Sequence, residues 1–176
     1  MLCHATNEVK SEIMDTKKLE KQFVDFVTEY KQIIYKICYI YATDSDSLND
    51  LYQETVINLW KSFPRFRGEC KASTWVYRIA LNTCISFFRK SNSRPVVIPI
   101  TIDLESAFAD EEEKTSQLRE LYRMINMLGK LERALILLWL EERSHQEIAD
   151  ILGISKNYVA VKLYRIKENL KNMSNS

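Results

Sequence analysis

The residues SHQEIADILGISKNYVAVKLYRIKENL, from Ser144 to Leu170, contain two short helical patterns separated by one glycine. Ser144 and Glu147 form an S-x-x-E capping box, in which each side chain accepts a hydrogen bond from the backbone amide of the other residue. Gly153 supplies the left-handed residue that ends a helix, and Ser155 is the N-cap expected of the next one. The stretch therefore predicts two capped helices that meet at a tight turn.

The apolar residues of both patterns recur at the three- and four-residue spacing of a buried helix face. They are Ile148, Ala149, Ile151 and Leu152 in the first helix and Val159, Leu163, Ile166 and Leu170 in the second. Residues 156–171 carry five Lys or Arg and one Glu, a net charge of +4. An ordinary helical hairpin with a basic solvent face would show the same charge. The caps, the glycine and the small Ala149 favour a helix-turn-helix, whose second helix enters the major groove of DNA.

The charge of the chain is strongly partitioned, although the 176 residues sum to only +1. Residues 1–60 hold six basic and ten acidic side chains, and residues 61–90 hold seven and one. Residues 91–118 hold two basic and six acidic side chains, and residues 119–176 hold ten basic and seven acidic ones. Two basic zones separated by an acidic segment predict two separate contacts with a polyanion.

Composition and periodicity predict an all-α protein with two small helical domains, since the chain has only three Gly and three Pro. A polar, loosely ordered N-terminal tail is expected over 1–18, and a first domain over 19–90, with helices near 19–41, 47–62 and 73–90. A flexible acidic linker is expected over 91–116, and a second domain over 117–172 that ends in the helix-turn-helix.

The four cysteines show neither a C-x-x-C pair nor the spacing of metal ligands. Cys38 and Cys84 fall on apolar helix faces, which predicts small core residues in a reducing cytosol. Cys3 and His4 lack partner ligands, so we expect no metal and no cofactor. We also expect a cytoplasmic chain without membrane insertion, because no signal peptide or bilayer-length apolar run is found.

Three segments resemble the extracytoplasmic-function (ECF) sigma factors, the small two-domain members of the bacterial RNA polymerase sigma superfamily. They are DLYQETVINLWKSFPRF from Asp50, CKASTWVYRIALNTCISFFRK from Cys70, and LERALILLWLEERSHQEIADILGIS from Leu131. The resemblance covers roughly residues 19–172. It implies a non-catalytic transcription initiation factor that binds core RNA polymerase, directs it to specific promoters and is associated with the nucleoid as holoenzyme.

The first segment resembles the helix that docks on a coiled coil of the largest polymerase subunit. Its polar, acidic strip would pair with basic side chains there, although the same strip would also suit mere solvation. The residues implied in core polymerase binding are Asp50, Gln53, Glu54 and Asn58.

The second segment, with the basic loop before it, resembles the part that binds the −10 promoter element and captures a base flipped from the non-template strand. Cationic groups would follow phosphates, and polar or aromatic groups would read or stack on the base. The residues implied are Arg65, Arg67, Lys71, Ser73, Thr74, Trp75, Arg78 and Asn82. A core role for Trp75 is equally open. Val76 follows it where primary sigma factors have a second tryptophan, which implies a narrow promoter set.

The third segment resembles the domain that reads the −35 element. Lys156, Asn157 and Tyr158 begin the recognition helix, where side chains reach base edges, whereas Lys162 and Arg165 are better placed for phosphates. The family also implies an anti-sigma factor as a partner, commonly one that is membrane-anchored. The acidic linker would suit a mimic of nucleic acid or a plain tether, and these alternatives stay open.

Two other classes of function are weighed against this one. A stand-alone helix-turn-helix transcriptional regulator would explain residues 144–170 but would leave the first domain and its acidic strip without a role. An enzyme is disfavoured, because His4 and His145 lie in unrelated contexts and no Gly-rich phosphate loop is present.

Overall fold

A computed structural model of the protein describes residues 2–90 and 120–174, with side chains over 16–87 and 120–174. Within these ranges all the regular secondary structure is helical, as the sequence predicts. The N-terminal set comprises α1 (Leu2–Tyr41), α2 (Ser45–Ser62), a 3₁₀ turn (Phe63–Arg65) and α3 (Ala72–Lys90). The C-terminal set comprises α4 over 120–126, α5 (Lys130–Leu140), α6 (His145–Leu152) and α7 (Lys156–Ser174). The predicted linker over 91–116 lies outside the described residues.

Two helices begin earlier than the apolar spacing predicts. Helix α1 begins at Leu2 rather than near residue 19, since residues 2–18 contain no Gly or Pro that would end it. Helix α2 begins at Ser45 because Asp44 is its N-cap: an Asp44 carboxylate oxygen accepts a 2.7 Å hydrogen bond from the backbone amide of Ser47. This hydrogen bond is the main reason that the pKa of Asp44 lies below its ordinary value.

Helices α1, α2 and α3 pack on one another through fully buried aliphatic side chains, among them Ile34, Leu51 and Leu81. Cys38 and Cys84 are also fully buried in this core, which confirms their assignment as core residues. The Cys38 sulfur lies 3.7 Å from the hydroxyl oxygen of Thr55, which is buried as well.

The two sets of helices contact each other directly. The Tyr41 hydroxyl donates a 2.7 Å hydrogen bond to the Lys130 carbonyl oxygen, and Arg133 donates one of 3.2 Å to the Ile40 carbonyl oxygen. Burial raises the pKa of Tyr41 and lowers that of Arg133. The end of α1 is therefore joined to the start of α5.

No helix among the described residues is long and apolar enough to cross a membrane. Nor does the described part of the chain bring together three His, Cys, Asp or Glu side chains that could hold a metal ion.

Candidate nucleic-acid interface

The helix-turn-helix has the caps that its sequence predicts. The Ser144 hydroxyl accepts a 3.2 Å hydrogen bond from the Glu147 amide, and a Glu147 carboxylate oxygen accepts one of 2.9 Å from the Ser144 amide. Gly153 ends α6 with φ of +67°, and Ser155 accepts a 3.2 Å hydrogen bond from the Tyr158 amide. Local hydrogen bonds thus cap the starts of both α6 and α7, and a left-handed glycine ends α6.

The recognition helix α7 buries Val159, Leu163 and Ile166 and exposes most of its predicted DNA-contacting residues. The exposed ones are Lys156, Asn157, Tyr158 and Arg165. The exception is Lys162, which is half-buried, with its ammonium 3.6 Å from a carboxylate oxygen of Glu132 in α5. The same ammonium lies 5.9 Å from the centre of the Tyr158 ring.

Two exposed apolar side chains of α7 were missed by the sequence reasoning. Val161 is 53% exposed and Tyr164 is 66% exposed. Helical spacing alone could have found both, because neither falls in the Val159, Leu163 and Ile166 series that faces the core.

A cleft of about 560 Å³ opens between the basic loop, the start of α3 and helix α6. Six of the predicted −10 residues line it, namely Arg65, Arg67, Lys71, Thr74, Trp75 and Arg78. Of the other two, Ser73 is half-buried and Asn82 lies exposed farther along α3. The loop turns at Gly68, whose φ of +71° is strained for other residues.

Trp75 lines the cleft and is also part of an aromatic cluster. Its ring lies 4.8 Å from that of Phe66 and 5.7 Å from that of Phe26, centre to centre. The centre of the Phe26 ring lies 5.2 Å from that of Phe63 in the 3₁₀ turn. These ring contacts show that Trp75 packs against its aromatic neighbours. Because the same ring lines the cleft, stacking on an unpaired base stays a prediction.

Helix α6 supplies acidic and carbonyl groups to the same cleft. Glu147 and Asp150 line it, and the Arg78 guanidinium donates a 2.6 Å hydrogen bond to the Asp150 carbonyl oxygen. The hydrogen bond from the Ser144 amide, with smaller contributions that include Arg143 and Lys71, lowers the pKa of Glu147. The cationic cleft is therefore partly neutralised by the helix-turn-helix in this arrangement.

The strip on α2 differs by one residue from the predicted one. Asp50 and Gln53 are exposed and Glu54 is half-buried, whereas the Asn58 amide turns inward and donates a 3.1 Å hydrogen bond to the Thr83 hydroxyl of α3. Ile57, which is 45% exposed, lies on the strip instead. The reason is helical geometry, since Ile57 follows Gln53 by four residues and Glu54 by three.

A helical protein with a helix-turn-helix and a cationic cleft that borders it has the features of the DNA-binding transcription proteins. Comparison with known families narrows this class: residues 26–94 match the family model of sigma-70 region 2, and residues 118–170 match that of sigma-70 region 4.

Curated relatives agree with this assignment. RNA polymerase sigma factor SigV of Bacillus subtilis is 28% identical over 142 residues, which cover 81% of this chain and 84% of the relative. The ECF RNA polymerase sigma-E factor of Haemophilus influenzae is 28% identical over 168 residues, which cover 87% of each. The chain belongs to the ECF sigma factors of the sigma-70 superfamily.

Solved structures share the fold. The sigma factor RpoE in complex with the anti-sigma factor NepR from Bartonella quintana matches with a TM-score of 0.71 at 18% identity, covering 88% of this chain and 98% of that one. CnrH in complex with the cytosolic domain of CnrY matches with a TM-score of 0.63 at 17% identity, covering 89% of each chain. The all-helical prediction and its helix-turn-helix are confirmed.

Proposed function

We propose that this protein is a transcription initiation factor that binds core RNA polymerase and directs it to specific promoters through two DNA contacts. The observation that carries the proposal is the presence of two cationic surfaces on one chain, the cleft between α3 and α6 and the exposed face of α7. The family membership supports it. In this proposal the chain acts in the cytoplasm, with the nucleoid, and nucleotide chemistry belongs to the polymerase.

The polymerase contact is assigned to α2. Asp50, Gln53 and Glu54 present carboxylate and amide oxygens along one face, and such groups pair with basic side chains of a partner. Asn58 is the exception among the four predicted residues: because its amide is engaged with Thr83, we propose that it stabilises α2 against α3 and does not itself bind polymerase. The test is charge reversal: we expect Asp50→Lys with Glu54→Lys to abolish co-purification with core polymerase.

The −10 contact is assigned to the cleft. Arg65, Arg67, Lys71 and Arg78 supply cationic groups for phosphates, and Trp75 supplies a ring beside them for an unstacked base. Ser73, Thr74 and Asn82 are proposed to hydrogen-bond to the base or to the backbone around it.

The −35 contact is assigned to α7. Lys156, Asn157 and Tyr158 are exposed in its first turn, where a recognition helix reaches base edges. Arg165 is exposed two turns later and is proposed to bind phosphate. Lys162 would have to exchange Glu132 for a phosphate, so we expect it to contribute less than Arg165 does.

An anti-sigma factor is the further partner that we propose. The related RpoE and CnrH were each solved with a protein partner, an anti-sigma factor in the case of RpoE. In this arrangement α6 lines the cleft, and its Glu147 and Asp150 place negative charge where DNA phosphates are proposed to bind. A partner that holds α6 against α3 would therefore oppose DNA binding in the cleft.

Run-off transcription with core bacterial RNA polymerase on a promoter library tests the main proposal. We expect initiated transcripts only when both the polymerase and this protein are present. If the protein is instead a stand-alone regulator, the purified chain should bind promoter DNA tightly and selectively without polymerase. That result, together with no transcript from any library member, would exclude the proposal.

A further inference from the structure

Val161 has no packing role that explains it. The side chain is 53% exposed in the second turn of α7, and it lies opposite the Val159, Leu163 and Ile166 face that packs on the core. A β-branched residue also lowers helix propensity slightly. Folding therefore gives no reason for an aliphatic side chain at this position.

The neighbours of Val161 on the helix surface are groups that suit DNA. Asn157 lies one turn before it and Arg165 one turn after it, and both are exposed. One helical turn rises about 5.4 Å, so these three side chains form a continuous row along the outer face of α7. The row presents an amide, an aliphatic group and a guanidinium in order, on a segment with a net charge of +4 over residues 156–171.

Each group in this row matches a different feature of the major groove. An asparagine amide pairs with adenine, and an arginine binds guanine or phosphate. The apolar feature of the major-groove edges is the C5 methyl group of thymine, which takes van der Waals contact from small apolar side chains. An exposed valine between an amide and a guanidinium is therefore placed to contact a thymine.

We propose that Val161 selects thymine at one position of the upstream promoter element by packing on its C5 methyl group. The inference rests on the proposed function, because it requires α7 to lie in the major groove while polymerase holds the first domain. It adds to the predicted residues a determinant of sequence preference that makes no hydrogen bond.

Deoxyuridine provides the test, because it differs from thymidine only in lacking that methyl group. The holoenzyme, reconstituted from core bacterial polymerase and the full chain, is first used to select an upstream element from a random library. Each thymine of the element is then replaced singly by deoxyuridine and binding is measured. We expect one position where the replacement weakens binding about fourfold, the factor for burying one methyl-sized group.

Three variants complete the experiment. Val161→Ala should bind the thymidine and deoxyuridine promoters equally at that position, and Val161→Ile should remain sensitive because it keeps an apolar contact. Val24→Ala changes a valine of α1 that is also largely exposed, at 61%, and should leave the discrimination unchanged. A melting curve for each variant verifies that it folds.

The outcomes separate the inference from the function on which it rests. Initiation from the selected promoter without any deoxyuridine effect would overturn the role of Val161 and leave the initiation function intact. Equal weakening of both promoters by Val161→Ala would also overturn it, because the valine would then contact something other than the methyl group. The absence of any initiated transcript would overturn both.

Discussion

Arg78 of α3 donates a 2.6 Å hydrogen bond to the backbone carbonyl oxygen of Asp150 in α6, although 72 positions separate the two residues in the chain. One side chain thus belongs both to the cationic cleft and to the contact between the two sets of helices. Each terminal nitrogen of a guanidinium carries two N–H groups, so Arg78 can donate to a phosphate and keep its contact with Asp150. If Arg78 binds DNA as proposed, it can therefore do so while α6 stays packed on α3.

The contact between the two sets of helices can be weakened without altering the cleft. Glu141 in the turn after α5 pairs with Lys36 of α1 and accepts a 3.3 Å hydrogen bond from the Tyr77 hydroxyl of α3. We expect Glu141→Gln to lower the free energy of unfolding by about 0.5–1 kcal/mol, because a partly exposed ion pair contributes no more than that. Urea denaturation measures the change, with the exposed neighbour Glu142→Gln as control.

The same variant has a spectroscopic consequence. Burial, aided by the charge of Glu141, raises the pKa of Tyr77 to about 12. Removing that charge should lower the pKa of Tyr77, while burial still holds it above the ordinary value for a phenol. A pH titration of ¹³C-labelled tyrosine by NMR measures it, and an unchanged pKa would mean that Glu141 does not face Tyr77 in solution.

The capping box of α6 gives a second prediction. Ser144→Ala removes the acceptor for the Glu147 amide and should lower the free energy of unfolding by about 1 kcal/mol. Ser45→Ala is the matched control, since Ser45 is exposed in the first turn of α2 while Asp44 provides the cap. Equal effects of the two changes in denaturation curves would contradict the assigned cap.

Glu147 should make the stability of the protein depend on pH in the acid range. Its pKa is lowered in the folded chain, so the ionised carboxylate stabilises the fold above the ordinary pKa of Glu, and this contribution is lost as the pH falls through the lowered value. We expect Glu147→Gln to be less stable than the parent protein at pH 7 and to approach it near pH 3. Denaturation curves at both pH values test this, and a constant difference would exclude the linkage.

Gly153 gives a further prediction, which concerns backbone strain alone. A Cβ atom at this position would meet no other atom within 4 Å, but the φ of +67° disfavours residues with a Cβ. Gly153→Ala should therefore destabilise the fold by about 1 kcal/mol, and Gly153→Asn by less, because Asn tolerates the left-handed region better. Thermal melts of both variants measure the order, and an alanine variant as stable as the asparagine one would contradict it.

The parts of the structure that the sequence predicted correctly are those with local signals. Ser144, Gly153 and Ser155 act through hydrogen bonds or backbone angles within a few residues, so the turn could be read directly. The contact of Lys36 with Glu141 spans 105 positions and depends on how the two sets of helices pack. No local pattern indicates such a contact, and the acidic groups of α6 in the cleft were missed for the same reason.

The inward hydrogen bond of Asn58 was not predicted, and the cause is different. Polarity suggested that Asn58 faces solvent, but its position in the helix places it beside α3, where Thr83 satisfies its amide. Periodicity alone would have placed Ile57 on the strip with Asp50 and Gln53. Asn58 also follows Glu54 by four residues, so the helical period alone does not remove it from the strip. Only the packing of α2 on α3 shows that its amide has a hydrogen-bond partner, as buried polar groups require.

Asn58 and Ile57 therefore separate stability from polymerase binding. Asn58→Ala should lower the free energy of unfolding by about 1 kcal/mol through loss of its hydrogen bond to Thr83, and should leave the affinity for core polymerase unchanged. Ile57→Ser should leave stability unchanged, because the side chain is exposed, and should weaken polymerase binding several-fold if α2 is the docking surface. Urea denaturation and titration of labelled core polymerase measure the two quantities on each variant. Loss of polymerase affinity in the Asn58 variant at unchanged stability would show that the docking face is rotated toward α3 and away from Ile57.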